Sequence, residues 1–200
     1  MKKISQKKLI YNYFEKISLI SKLINVNEIY DLIIELKKLK KRNGRLFFLG
    51  VGGSAGNSSH AVNDFRKLCG IVAYTPTDNV SELTARINDE GWEGAFVEWL
   101  KISKLRKQDS IFIFSVGGGS KKKNVSVNLI NAIDYAKKKG SKIFGVIGKK
   151  EGYAKKKGDN VIVIPEVERK MVTPFSEAYQ AVVWHCLVSH PIIQTKKTKW

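Results

Sequence analysis

The chain has 200 residues, 43% of them hydrophobic, and carries a formal net charge of +18. Such a length and apolar content indicate one globular domain, over residues 1–200, with a full hydrophobic core. No apolar run approaches the roughly 18 residues that a membrane-spanning helix needs, and the basic N-terminus lacks the apolar core of a signal peptide. The cysteines, Cys69 and Cys186, lack the spacing of metal ligands, so we expect free thiols and a cytoplasmic location.

Helical periodicity covers residues 4–40, where apolar residues recur at spacings of three and four around a turn near residues 25–27. Short continuous apolar runs then predict strands at 46–49, 71–74, 111–114, 143–147 and 161–164. Helical patterns between and after these runs predict helices at 58–69, 92–105, 125–139, 153–157 and 175–189. Apolar strands that alternate with helices indicate an α/β fold, with a doubly wound parallel sheet flanked by helices over residues 45–190 and two N-terminal helices within residues 1–42.

The excess of lysine has two interpretations. A basic surface can bind nucleic acid or an anionic membrane. The lysines, however, are spread along the chain, mostly at predicted helix ends and in loops, and no aromatic residues are interleaved with them. We therefore favour a solvated surface that attracts small anionic substrates, and we expect neither nucleic acid nor a membrane as a partner.

Two predicted strands run into glycine-rich loops. The first loop reads GVGGSA at residues 50–55, and the second reads SVGGGS at residues 115–120, followed by three lysines. The first is neither a dinucleotide fingerprint nor a Walker loop, and by itself it is equally consistent with a tight strand-to-helix turn. Because ligands bind at the carboxyl ends of parallel strands, and glycine backbones and helix N-termini bind anions, the two loops together predict a site for a phosphorylated small molecule.

Possible metal ligands lie on two of the predicted helices. His60 and Asp64 are four residues apart and share a helix face. Glu177 and His185 are separated by about 12 Å of helical rise, so one ion can contact both only if Glu177 reaches inward. Two imidazoles and two carboxylates suit zinc or a similar divalent ion. The alternatives are a surface hydrogen bond between His60 and Asp64 and a core position for His185.

Taken in order, these residues resemble the sugar isomerase (SIS) domain family and, within it, the bacterial phosphoheptose isomerases. The resemblance covers nearly the whole chain and rests on residues 50–55, 60, 64, 77–78, 88–89, 115–120 and 173–191. It implies an SIS-type fold and the isomerisation of sedoheptulose 7-phosphate to D-glycero-D-manno-heptose 7-phosphate through an enediol, for surface polysaccharide precursors. It also implies a homotetramer that is built by the N-terminal helices.

The resemblance also implies a role for individual residues. Zinc, or another divalent ion, would be held by His60, Asp64, Glu177 and His185. Asp64 and His185 would be the catalytic residues. The substrate contacts would fall on Gly52, Gly53, Ser54, Asn88, Asp89, Ser115, Gly117, Gly118, Ser120 and Glu177.

The chain departs from the pattern of that family at several positions. Asp64 stands where glutamate is usual, and Glu177 stands where an amide is frequent. In the second loop, Val116, Gly117 and Gly119 replace hydroxyl or amide side chains. Two alternatives therefore stay open: an isomerase of another phosphosugar, and a non-catalytic module that binds a sugar phosphate.

Overall fold

The structure, a computed structural model, describes residues 6–199 and contains a five-stranded parallel sheet. The strands are β1 (Leu46–Leu49), β2 (Ala73–Tyr74), β3 (Ser110–Ser115), β4 (Lys142–Ile147) and β5 (Asn160–Val163). The helices are α1 (Gln6–Leu23), α2 (Val26–Lys41), α3 (Gly53–Cys69), α4 (Val80–Ile102), α5 (Val127–Lys138), α6 (Tyr153–Lys157) and α7 (Val172–Val188). Among the described residues, no helix is long and apolar enough to span a membrane.

The strand order across the sheet is β2-β1-β3-β4-β5. Since β1 lies between β2 and β3, the direction in which the chain crosses the sheet reverses at the β1–β3 pair, where Leu49 is in register with Ile113. Ligands of doubly wound sheets bind in the crevice outside the carboxyl ends of the strands at such a reversal. Both glycine-rich loops begin there.

The sheet is covered by helices on both faces, as the sequence predicts. Along β1, Leu46 and Phe48 pack into a core with α1, α2, α3 and α7. Phe47 and Leu49 point to the opposite face and pack with α4, α5 and α6. This alternation is the period of two that a strand imposes on its side chains, and burial on both faces explains why the strands are apolar throughout.

Two helices begin five or more residues earlier than the sequence predicts. Helix α3 begins at Gly53 rather than at residue 58, so the first loop is shorter than expected. Helix α4 begins at Val80 rather than at residue 92, and Asn79 caps it by accepting a hydrogen bond from the Glu82 N–H. The apolar period is weak over residues 80–90 because most of these residues are polar. Gly91, with φ 73° and ψ 159°, then interrupts the helix. The other element ends agree with the prediction to within three residues.

A buried carboxylate ties the start of β3 to the neighbouring loops. The Asp109 side chain is fully buried and accepts hydrogen bonds from the backbone N–H and guanidinium groups of Arg45 and Arg106. Burial by itself would raise the pKa of Asp109, but these hydrogen bonds outweigh it and hold the pKa below its ordinary value. This anchor lies at the end of the sheet opposite to the glycine-rich loops.

Candidate functional site

The first loop leads from the carboxyl end of β1 into α3, whose N-terminus has no capping side chain. Gly52 has φ 62° and ψ −129°, a conformation that side chains disfavour. A Cβ on Gly50 would lie 2.4 Å from the Ser54 carbonyl oxygen, so the turn requires glycine there as well. The N–H groups of Ala55 and Gly56 already donate to the Gly52 carbonyl oxygen, which leaves those of Gly53 and Ser54 for an anion.

Glu177 already places a carboxylate at this helix start. A Cβ built on Gly53 would lie 2.7 Å from Glu177 Oε2, so only glycine at residue 53 allows this close approach. The carboxylate suits the positive end of the α3 dipole. A negatively charged side chain thus sits beside the position where a phosphate would be expected from the loop sequence alone.

Three of the four predicted metal ligands converge on one point between α3 and α7. The Nε2 atoms of His60 and His185 lie 3.5 Å and 3.4 Å from Asp64 Oδ2. Their ligand atoms all lie within 4.8 Å of one another, and among the described residues this is the one group of its kind. The histidine side chains are about half exposed, at 57% and 51%, while Asp64 is nearly buried. The cluster is therefore open to a ligand from the solvent side, and Glu177 is not part of it.

The Asp64 carboxylate is held by two further side chains. The Trp184 Nε1–H donates to Oδ2 over 3.1 Å, and the Asn63 Nδ2 group donates to Oδ1 over 3.0 Å. The Trp184 indole is also in edge contact with the His60 ring, at 5.2 Å between centroids. Sequence analysis missed Trp184, although an indole N–H on a mostly apolar helix needs a partner when it is buried, and this was a signal that could have identified it. Partners of this kind orient metal ligands and catalytic carboxylates.

A buried polar network links α3 to α7 beside the cluster. The Gln180 Nε2 group donates to Ser54 Oγ over 3.0 Å, and the Asn57 Nδ2 group donates to both Gln180 Oε1 and the Glu177 carbonyl oxygen. Ser54 is buried, so its predicted contact with the substrate stays a prediction. Gln180 was also missed, although a fully buried amide on an apolar helix face was a signal that could have identified it.

The second loop is held tightly against the turn before α6. The Gly118 N–H donates to Ser115 Oγ over 3.0 Å, and the Lys123 N–H donates to Ser120 Oγ over 3.3 Å. Gly118 and Gly119 have φ of 69° and 83°, whereas a Cβ on Gly117 would meet nothing within 4 Å. The loop thus requires glycine at residues 118 and 119, and its two hydroxyl oxygens accept N–H groups of its own turns. The predicted substrate contacts of Ser115, Gly117, Gly118 and Ser120 stay predictions.

The structure does not bring every predicted residue to the cluster. Asn88 and Asp89 lie exposed on α4, where the Asn88 Nδ2 group donates to Asp89 Oδ1 over 2.8 Å. No hydrogen bond or ion pair within residues 6–199 joins them to the histidines. Their role in substrate binding stays a prediction.

Comparisons with known proteins agree on one family, although no protein-family model matches the chain. The phosphoheptose isomerase of Nitratiruptor sp. is 30% identical over 166 residues, which cover 80% of this chain and 83% of that protein. The phosphoheptose isomerase of Leptospira biflexa is 31% identical over 158 residues, which cover 74% of each chain. The lincomycin biosynthesis protein LmbN of Streptomyces lincolnensis is 32% identical over 154 residues, but this chain covers only 56% of its length.

Solved structures show the same fold. A phosphoheptose isomerase from Francisella tularensis matches with a TM-score of 0.80 and 17% identity, over 95% of this chain and 98% of that one. The phosphoheptose isomerase GmhA from Neisseria gonorrhoeae matches with a TM-score of 0.78 and 19% identity, over 92% and 97%. Together with the relatives of 30% and 31% identity, which this chain matches over most of their length, these findings confirm the predicted resemblance: the chain belongs to the phosphoheptose isomerases of the SIS fold.

Proposed function

We propose that this protein interconverts sedoheptulose 7-phosphate and D-glycero-D-manno-heptose 7-phosphate. The observation that carries the proposal is the convergence of His60 and Asp64 of α3 with His185 of α7, in a chain of this family. A cytoplasmic location and a role in supplying heptose for lipopolysaccharide or capsule are part of the proposal and rest on the family alone.

The donor set of the cluster fits a divalent ion. Two imidazole nitrogens and one carboxylate oxygen form the three-ligand set that catalytic zinc sites use, with a position left for substrate. His60, Asp64 and His185 would hold the ion, and Glu177 stays a prediction as a fourth ligand because its carboxylate lies against Gly53. Such an ion, when bound, would stabilise the negative charge that develops on the substrate oxygens.

The reaction requires one proton to move between neighbouring carbons. A base removes a proton from C1 of the ketose while the C2 oxygen gains one, which gives the enediol. Delivery of a proton to C2 and loss of the proton from the C1 hydroxyl then give the aldose. Asp64 and His185 are suited to this exchange because they lie 3.4 Å apart and the histidine is open to solvent.

Proton NMR in deuterated water tests the proposal directly. Metal-loaded protein and sedoheptulose 7-phosphate should yield an aldose that carries deuterium at C2. Asp64→Asn and His185→Ala should each lower the rate by about 10²- to 10⁴-fold. His190→Ala is the matched control, since the third histidine of the chain lies outside the cluster. Folded, metal-loaded protein that shows neither conversion nor exchange would refute the proposal.

A different phosphosugar is the second candidate. It is favoured by the altered second loop, where Val116, Gly117 and Gly119 carry no hydroxyl group, and by the similarity to a protein named for lincomycin biosynthesis. Ketose phosphates of other chain lengths, offered in the same assay, would identify it by a higher kcat/KM. A purely binding role has less support, because a sugar-phosphate binder has no need of the histidine and aspartate cluster.

We also propose that α1 contacts other copies of this chain in a homotetramer. Six large apolar side chains of α1 are at least 44% exposed: Leu9, Ile10, Tyr11, Phe14, Leu19 and Leu23. Exposed apolar patches of this kind mark interaction surfaces. Light scattering should give the mass of a tetramer, and Phe14→Asp should reduce it. An unchanged mass for that variant would count against a role for α1.

A further inference from the structure

The second glycine-rich loop forms one wall of a groove of about 650 Å³. The groove lies at the carboxyl edge of the sheet, because its other walls follow directly after β4 and β5. Five charged residues line the groove, namely Lys123, Lys149, Glu151, Glu166 and Arg169. Three of these five are cations.

The loop offers a phosphate few side-chain donors. Of its two serines, Ser120 lines the groove and Ser115 does not. Val116, Gly117 and Gly119, which also line it, carry no hydroxyl group. No larger side chain fits at Gly118 or Gly119, because φ is positive and a Cβ would lie within 3 Å of Ile147 or Ile130. The loop has no charged side chain, so any cation that binds a phosphate in this groove has to come from outside residues 115–120.

Two of the lysines near the second loop are already engaged with other side chains. Lys149 is paired with Glu166, so its charge is neutralised. Lys121, the first lysine after the loop, lies over the Tyr153 ring and pairs with Asp134, away from the groove.

Lys123 and Arg169, in contrast, form no ion pair within residues 6–199, and both are exposed. Arg169 lies in the short 3-10 turn Arg169–Met171, and the residue before it, Glu168, is tied to Lys16 of α1 at 3.0 Å. The one unpaired acidic residue of the groove is Glu151.

We propose that Lys123 and Arg169 bind the phosphate of the sugar-phosphate substrate, in place of the hydroxyl groups that the second loop lacks. The inference rests on the proposed function insofar as it assumes a phosphosugar. Arginine can bind two phosphate oxygens at once, and lysine adds a compact charge. The Glu177 carboxylate at the start of α3 disfavours a phosphate at the other candidate anion site.

Single substitutions separate these cations from their neighbours. Lys123→Gln and Arg169→Gln should each raise KM about tenfold to a hundredfold while kcat changes little, because a charge-assisted contact to a remote phosphate contributes mainly to binding. Lys122→Gln is the matched control, since Lys122 belongs to the same lysine triplet but does not line the groove. All three side chains are exposed, so the variants should fold like the unmodified protein.

Calorimetric titration with inorganic phosphate gives a second readout that does not depend on turnover. Phosphate binding should weaken by a similar factor in Lys123→Gln and Arg169→Gln and stay unchanged in Lys122→Gln. If the two groove variants match the control in both KM and phosphate affinity, the inference is wrong and the proposed isomerase stands. If they lose phosphate affinity while the unmodified protein isomerises no sugar phosphate, the cation site is supported and the proposed function fails.

Discussion

Trp184→Phe tests whether the activity of the cluster depends on a fixed orientation of Asp64. The substitution keeps an aromatic ring in the core and removes the indole N–H that donates to Asp64 Oδ2 over 3.1 Å. Both groups are nearly buried, so water cannot easily replace the lost donor. The carboxylate would then keep only the contact of Asn63 with Oδ1, and the orientation of Oδ2 toward His60 and His185 would be less fixed.

The expected magnitude follows from this one hydrogen bond. A hydrogen bond to a charged group contributes about 1.5–3 kcal/mol, and loss of a partner that orients a metal ligand costs about 10- to 100-fold in metal affinity or activity. Trp184→Phe should therefore lower kcat/KM, or the affinity for zinc, by about one to two orders of magnitude. The smaller ring also leaves a cavity, which lowers stability but does not itself change the chemistry.

Trp99→Phe controls for the cavity. Trp99 is also buried, at 7% exposed, but it packs against Phe47 on the opposite face of the sheet, and its indole N–H forms no hydrogen bond within residues 6–199. The isomerisation rate and a calorimetric zinc titration should be nearly unchanged in this variant. If both variants lose activity and metal affinity to the same degree, the hydrogen bond to Asp64 has no special role and the reasoning is refuted.

The other predictions concern stability and reactivity. Asp109→Asn should lower the free energy of unfolding by about 3 kcal/mol at about pH 7, because two arginines lose a buried carboxylate. Because the pKa of Asp109 is lowered in the folded state, this stabilisation is present above the unfolded pKa and is lost as the pH falls through the folded pKa. The free energies of unfolding of the variant and the unmodified protein, measured by urea titration, should therefore converge in acid. A difference that stays constant with pH would contradict this. Of the two thiols, only the exposed Cys186 should react rapidly with a thiol reagent at about pH 8, because burial raises the pKa of Cys69 to about 11. Rapid reaction of both thiols in the folded protein would count against this. Gly118→Ala should destabilise the protein by about 1–2 kcal/mol in thermal unfolding, whereas Gly117→Ala should be neutral, and equal effects would argue against the loop conformation described here.

The sheet and both loops could be predicted because their signals are local. A strand that is buried on both faces must be apolar throughout, and a turn with positive φ favours glycine, so both features are written in adjacent residues. The first half of α4 escaped prediction for the opposite reason. Its start is capped by Asn79, and Arg86 pairs with Glu82 and Glu90 on its surface. Most of its residues are polar, so the sequence shows no apolar period there.

The candidate site was predictable only in part. His60 and Asp64 share a helix face at a spacing of four, so their proximity follows from helical geometry. The family resemblance implied that His185 lies beside these two residues, whereas no residue spacing in the sequence predicted it. Glu177 shows the limit of that resemblance, because its carboxylate lies against Gly53 and outside the three-residue cluster.

The sequence by itself determined the α/β class, the parallel sheet with two glycine-rich loops at its carboxyl edge, and the residue types of the cluster. Only the tertiary structure decided which side chains meet: Trp184 and Asp64 are 120 residues apart, and their contact depends on how α7 packs against α3. It also decided that Lys123 faces the groove while Lys121 turns to Asp134. The physical reason is that periodicity and turn chemistry act between neighbours in the chain, whereas the direction of a charged side chain depends on the partners that packing brings beside it.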